Sequence, residues 1–142
     1  MTPYKVIRGI AINAKPLKVW ESLTNPEIIK KYLYGAEAVS EWKVGSEIIY
    51  KGEYDGYAYA DRGIIRQFEK GKIFQHTYLS TFSGIEDIPE NYHLVTYNIE
   101  KSNGGSLLTI NQENIHSEEA MEHAGKGWDM VTELIKDAAE KL

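Results

Sequence analysis

The stretch from Glu118 to Leu142 constrains this chain more than any other. Met121, Ala124, Trp128, Val131, Ile135, Ala138 and Leu142 recur at alternating steps of three and four. That spacing sets them in one stripe along an α-helix. Ser117 stands where a cap is needed, Glu118 and Glu119 fall in the first turn, and Lys136 and Lys141 fall near the end. Both charge placements suit the helix dipole. At about 1.5 Å per residue such a helix is roughly 36 Å long, enough to cross a small domain. The rest of the chain reads as short helices and strands, so the expected partner of the stripe is a β-sheet.

One domain is expected from 142 residues with 42% hydrophobic and 26% charged side chains. The net charge is −5 without a basic run, which makes nucleic acid and anionic membrane surfaces poor partners. Cysteine is absent, and with it disulfides, thiol nucleophiles and thiolate metal sites. No apolar run approaches a membrane-spanning length and the N-terminus has no signal-peptide core, so a cytoplasmic location is expected. The aromatic content is more telling: nine of the ten tyrosines lie between Tyr32 and Tyr97.

In chain order, Tyr4 to Ile12 is rich in β-branched residues and reads as a first strand. Pro16 opens a short helix with Val19, Trp20 and Leu23 on one side. Thr24-Asn25-Pro26-Glu27 repeats the signal before Ile28, Ile29 and Tyr32, which predicts two short helices joined by a tight turn. From Ala36 onward glycines punctuate runs that fit an antiparallel meander. Asp55-Gly56, flanked by tyrosines, predicts a two-residue hairpin, because a type I′ turn needs positive φ at both central positions. Lys70-Gly71 is a weaker signal of the same kind. Ser80 to Asn91 reads as a long loop.

The Asp55-Gly56 turn sets Tyr54 opposite Tyr57, Gly52 opposite Tyr59, and Tyr50 opposite Asp61, all on one face. Lys51, Glu53 and Arg62 take the solvated face. A two-residue turn at Lys70-Gly71 carries the register on, with Ile65 opposite His76, Gln67 opposite Phe74, and Gly63 opposite Tyr78. Each glycine in these pairs leaves room for an aromatic ring across the strand. In the last hairpin Val95, Tyr97 and Ile99 share a face with Leu108, Ile110 and Gln112, and the helix is expected over them. The inward surface thus mixes tyrosines, Asp61, His76 and Gln112 with aliphatic residues. Two interiors fit it: a cavity with an apolar body and a few polar handles, or a closed core whose tyrosines send their hydroxyls to the rim.

Five motifs carry a family resemblance. Ile10 to Trp20 resembles the strand-then-AP-x-x-VW opening of the START-like (Bet v 1-like, SRPBCC) superfamily. Within it, the chain is most similar to the group related to the C-terminal domain of the activator of the heat-shock-protein-90 ATPase. Leu23-Thr24-Asn25-Pro26-Glu27 matches that group's L-T-x-P-E junction, and Trp42-Lys43-Val44-Gly45-Ser46 its W-x-x-G-x. Gly63 fits its G-x-V/I strand, and Gly127-Trp128 its GW in the long helix. The resemblance implies an α+β helix-grip fold, a curved antiparallel sheet wrapped around the C-terminal helix. Superfamily relatives bind lipids, hormones or polyketides in the resulting cavity, and a few catalyse cyclisation or hydrolysis there. It also implies a chaperone partner in a stress response, although the cochaperones' separate N-terminal domain is not in this sequence.

The leading expectation is a non-enzymatic domain that holds a lipid-like or aromatic small molecule between sheet and helix. Tyr50, Tyr59, Asp61, Phe74, His76, Tyr78, Tyr97, Met121 and Trp128 are its expected lining, with the Ser80 to Asn91 loop as a lid. Trp128 also fits plain core packing, and Trp20 and Trp42 read as structural anchors. Asp61 has two readings: a carboxylate accepting from Tyr50, or a general base beside His76 in a cavity enzyme of cyclase or hydrolase type. His93 falls on the same face, at a strand end. Gly125 and Gly127 each cost about 1 kcal/mol in a helix, so close approach to a strand, a slight bend or ligand space is expected of them. Glu119, His123 and His116 lack a third converging ligand in any metal-site motif. No phosphate loop, catalytic triad or cofactor motif is present, so no metal or cofactor is expected. A filled interaction module of the chaperone-activator kind is the other reading. Ligand identity and oligomeric state are not written in the sequence.

Overall fold

The structure, a computed structural model, describes residues 4–142 of the chain. The β-branched run at the N-terminus forms strand β1 (Tyr4–Ile12). Helix α1 (Pro16–Thr24) follows with proline in its first turn and buries Val19, Trp20, Ser22 and Leu23. Helix α2 (Pro26–Tyr32) begins one residue after α1 ends, because Asn25 serves both. Its N–H closes α1 on the Glu21 carbonyl, while its side chain accepts from the Glu27 N–H at 3.0 Å.

Six further strands complete the sheet: β2 (Glu37–Ser40), β3 (Glu47–Tyr54), β4 (Tyr57–Glu69), β5 (Ile73–Tyr78), β6 (His93–Ser102) and β7 (Gly105–Ile115). The spatial order is β1-β7-β6-β5-β4-β3-β2 and every pairing is antiparallel. The curved sheet and the long helix α3 (Glu118–Glu140) make the helix-grip arrangement. Ser117 caps α3, its hydroxyl accepting from the Ala120 N–H at 3.1 Å.

Helix α3 is turned by about one residue from the expected stripe. Gly125, Thr132, Ile135 and Ala139 are its fully buried positions, while Met121, Ala124, Trp128, Val131 and Ala138 are half-buried. Leu142 lies beyond the helix and is 46% exposed. Arg8 of β1 lies against the helix at Gly125: a Cβ there would lie 2.7 Å from an Arg8 nitrogen, and Arg8 Nε–H donates to Asp129 at 2.6 Å. Of the uses expected for the two glycines, close approach holds at Gly125, and at Gly127 an added Cβ meets nothing within 4 Å.

The register around Asp55-Gly56 is as expected, with Tyr54 opposite Tyr57, Gly52 opposite Tyr59 and Tyr50 opposite Asp61. The last hairpin also holds, with Val95 opposite Gln112, Tyr97 opposite Ile110 and Ile99 opposite Leu108. Between β4 and β5 two departures cancel. The turn contains Lys72 as well as Lys70 and Gly71, so Glu69 pairs with Ile73 and Phe68, not Gln67, faces Phe74. A β-bulge between Ile65 and Gln67 then removes the extra residue, and Ile65 faces His76 as expected. The bulge turns Phe68 inward and leaves Gln67 exposed.

The two glycines also differ in what they admit. The Tyr59 ring leans over Gly52, where a Cβ would lie 2.9 Å from its hydroxyl. At Gly63 the close neighbour is backbone: a Cβ would lie 1.6 Å from the Thr77 carbonyl oxygen. Backbone cannot give way as a side chain does. Gly63→Ala is therefore expected to lose about 3 kcal/mol. Gly127→Ala is expected to gain about 1 kcal/mol from helix propensity. Urea denaturation of the two variants checks both the signs and the sizes.

Candidate functional site

Alternation along the strands turns Tyr50 of β3, Phe74, His76 and Tyr78 of β5, and Tyr97 of β6 to the concave side. Tyr32, at the end of α2, reaches the same place from the helical layer. Phe74 and His76 are fully buried, whereas Tyr32, Tyr50 and Tyr78 keep some accessible surface. Around His76 the ring centroids of Phe74, Tyr50, Tyr97 and Tyr78 lie at 5.1, 5.9, 6.0 and 6.5 Å. Trp128 of α3 meets Tyr97 edge-on at 5.9 Å. These residues form an aromatic cluster on the concave face of the sheet, joined by Tyr32 from α2 and Trp128 from α3.

Burial raises all four phenols above their ordinary pKa, and Tyr50 is raised further by the nearby phenols of Tyr97, Tyr32 and Tyr78. They remain neutral donors throughout the physiological range. Tyr32 donates to the Ser22 carbonyl and Tyr78 to Asp61 Oδ2, each at 2.8 Å. Among the described residues these are the only two of the four hydroxyls bonded within the protein.

The expected Asp61–Tyr50 bond is corrected by this geometry. The two are cross-strand neighbours, but the Asp61 carboxylate turns to β5, where it finds two donors instead of one. Tyr78 takes Oδ2 and the Thr81 N–H takes Oδ1 at 2.8 Å. Asp61 thereby ties the loop after β5 to β4. Asn114, with φ of +63°, ties its other end by donating to the Glu90 and Tyr92 carbonyls.

His76 is 2% exposed. Its Nδ1 lies 2.7 Å from the Thr77 carbonyl oxygen, which only accepts, so Nδ1 carries the proton and Nε2 presents a lone pair. That buried Nε2 has no hydrogen-bond partner among the described residues, a situation that costs about 1–3 kcal/mol. Burial pushes the His76 pKa down to about 4, with the Thr77 bond opposing it. His76 and Asp61 make their hydrogen bonds elsewhere and not to each other.

A second polar chain fixes Trp128. Its indole N–H donates to Gln112 Oε1 at 2.7 Å, and Gln112 Nε2 donates to His93 Nδ1 at 2.7 Å. Burial, and then the charge of His116, lower the His93 pKa, which keeps Nδ1 an acceptor.

Two expected lining residues lie apart from this group. Tyr59 packs on Phe82 at 5.8 Å and borders an open groove of about 480 Å³ with Lys30, Gly35 and Lys51. Met121 borders a groove of about 330 Å³ on the β1 side with Val6 and Arg8. Tyr32, conversely, joins the cluster without having been expected there. It ends the apolar face of α2, but the path of α2 over the sheet has no signature in the sequence. His116, Glu119 and His123 are exposed, and no three acidic or histidine side chains converge as metal ligands among the described residues.

Two outcomes follow from these bonds. A histidine whose folded pKa is depressed binds its proton less readily in the folded state than in the unfolded state. Its contribution is therefore complete above pH 6.5 and is lost as pH falls from 6.5 to about 4. The loss is of order 3 kcal/mol, and His76→Phe is expected to flatten that part of a stability-versus-pH curve. Asp61→Ala is expected to free the Thr81 N–H, raising its hydrogen-exchange rate at least tenfold while exchange in β6 and β7 stays unchanged.

The family model described as "Activator of Hsp90 ATPase homolog 1-like protein" matches residues 13–140. A Cytophaga hutchinsonii protein solved in solution is 39% identical, covers 99% of this chain and 97% of its own, and superposes with a TM-score of 0.85. The Aha1 dimer from Colwellia psychrerythraea, at 20% identity and 96% of each chain, shares the fold with a TM-score of 0.77. Ara h 8.0201 does so at 12% identity, with 99% of each chain and a TM-score of 0.79. No curated protein matches the sequence. The match along nearly the whole chain and the 39% identical relative make this protein a member of the Activator of Hsp90 ATPase homolog 1-like family, built on a helix-grip fold that Ara h 8.0201 shares.

Proposed function

We propose that this domain binds a small apolar or amphipathic molecule in a recess bounded by Tyr32, Tyr50, His76, Tyr78, Tyr97 and Trp128. The observation that carries the reading is the combination of ring-lined walls with polar ends left unused. Among the described residues the Tyr50 and Tyr97 hydroxyls and His76 Nε2 have no hydrogen-bond partner, whereas the neighbouring Tyr32, Tyr78 and Trp128 are all bonded. A packed core has little use for such groups, while a binding site uses them to orient its ligand. Phe74 forms the floor, Asp61 holds Tyr78 in place, and the loop from Ser80 to Asn91 serves as the lid. The work is done in the cytoplasm.

A second reading, docking to a chaperone, is favoured by the exposed rings of the β3–β4 hairpin. Tyr54 and Tyr57 are 71% and 69% exposed, and Phe82 beside Tyr59 is 55% exposed. Mass spectrometry of the purified protein under native and denaturing conditions separates the two. The binding reading expects a small organic molecule released on denaturation. It also expects 2-naphthol or 1-decanol to shift the NMR signals of Tyr97 and the Trp128 indole. A clean mass with no shifts, together with stimulation of a chaperone ATPase that Tyr54→Ser/Tyr57→Ser abolishes, would overturn it in favour of docking.

A further inference from the structure

We infer that the recess selects a neutral ligand bearing a hydroxyl, and that His76 Nε2 is the atom that reads it by accepting the hydroxyl proton in a hydrogen bond. This deepens the binding reading and rests on it. The Thr77 carbonyl holds Nδ1 at 2.7 Å and so fixes which nitrogen keeps the proton. Nε2, at the far side of the ring from that bond, is an acceptor buried among aromatic rings and without a partner. It is satisfied only by a donor.

The hydroxyls of Tyr50 and Tyr97 supply the complementary half. They lie on rings centred 5.9 and 6.0 Å from the His76 ring and make no hydrogen bond among the described residues. One ligand hydroxyl donates to Nε2 and accepts from a phenol, so a single group satisfies both kinds of unused atom. An ether or ketone accepts from a phenol but leaves Nε2 unpaired. A carboxylate offers no proton to Nε2 and brings a charge into a recess whose six bounding residues include no lysine or arginine. The one carboxylate already nearby, Asp61, is bonded to Tyr78 and repels a second. Ion burial without a partner is strongly unfavourable.

The test uses three probes of one shape: 2-naphthol, 2-methoxynaphthalene and 2-naphthoate, titrated at pH 7 and followed by NMR. The wild-type protein is expected to bind 2-naphthol about tenfold more tightly than the methyl ether, with 2-naphthoate weaker still. The ¹⁵N resonance of His76 Nε2 is expected to move upfield only with 2-naphthol. His76→Phe should bind 2-naphthol and the ether alike. Equal wild-type affinity for 2-naphthol and either other probe, with Tyr97 and Trp128 still shifted, overturns this inference and leaves the binding reading standing. An unmoved Nε2 resonance at saturation does the same, and it needs no variant to fold. If none of the three probes shifts the recess signals, the binding reading falls and this inference falls with it.

Discussion

Phe74 is the contact on which the rest of the structure depends. It is fully buried, and five ring systems meet it from five parts of the chain. Trp20 comes from α1 at 6.3 Å, Trp42 from the β2–β3 link at 6.2 Å, and Phe68 from β4 at 5.6 Å. His76 follows on the same strand at 5.1 Å, and Tyr97 stacks from β6 at 5.4 Å with planes 12° apart. Ring pairs of this kind add about 0.5–1.5 kcal/mol beyond the area they bury. Two local irregularities serve this assembly. Trp42 adopts φ of +57°, unusual for a bulky residue, and Ser40 Oγ holds its N–H at 3.0 Å. The bulge in β4 supplies Phe68, which an uninterrupted strand would have pointed to solvent.

From this centre the interior divides into two halves. On the β1, β7 and β6 side the lining is aliphatic, with Ile12, Leu108, Ile110 and Ile99 buried. Helix α3 closes that half through Gly125, Thr132, Ile135 and Ala139. From Tyr97 of β6 across to β3 the lining becomes phenolic, and the half-buried Trp128 of α3 meets it at Tyr97. The Arg8–Asp129 pair lies on the aliphatic side, where Arg8 meets α3 at Gly125. Its ionic attraction is modest at this exposure.

Most of this architecture was legible because its signals are local. Asp55-Gly56 names its own turn, and the period of two then fixes every pair along that hairpin. Asn25-Pro26 marks a shared helix boundary in the same way. What could not be read depends on competition between distant groups. Nothing near Arg66 announces a bulge, because its cause is the inward demand for Phe68 at a centre built from five segments. Asp61 was correctly turned inward, but its choice of Tyr78 over Tyr50 rests on the Thr81 N–H, positioned by a loop. Tyr32 enters the site because of the angle at which α2 crosses the sheet, and Met121 leaves it because α3 rotates. Strand faces are coded by alternation; helix placement over a sheet is not.

The polar content of the phenolic half makes sense only as a departure from the best packing. A phenylalanine at position 76 would carry no unpaired acceptor and no sensitivity to acid, and Phe74 beside it shows that a phenyl ring is accommodated on that strand. The histidine is instead held in one tautomer by its own strand. Neighbouring phenols stay neutral, because burial raises their pKa. The result is a set of donors and one acceptor whose protonation states do not change between about pH 5 and 9, set in apolar walls. Such a set cannot attract a ligand by charge and cannot exchange protons readily with one. On the proposed binding reading it discriminates by requiring each hydrogen bond to be matched, a requirement that ring-lined walls enforce more strictly than an open surface does.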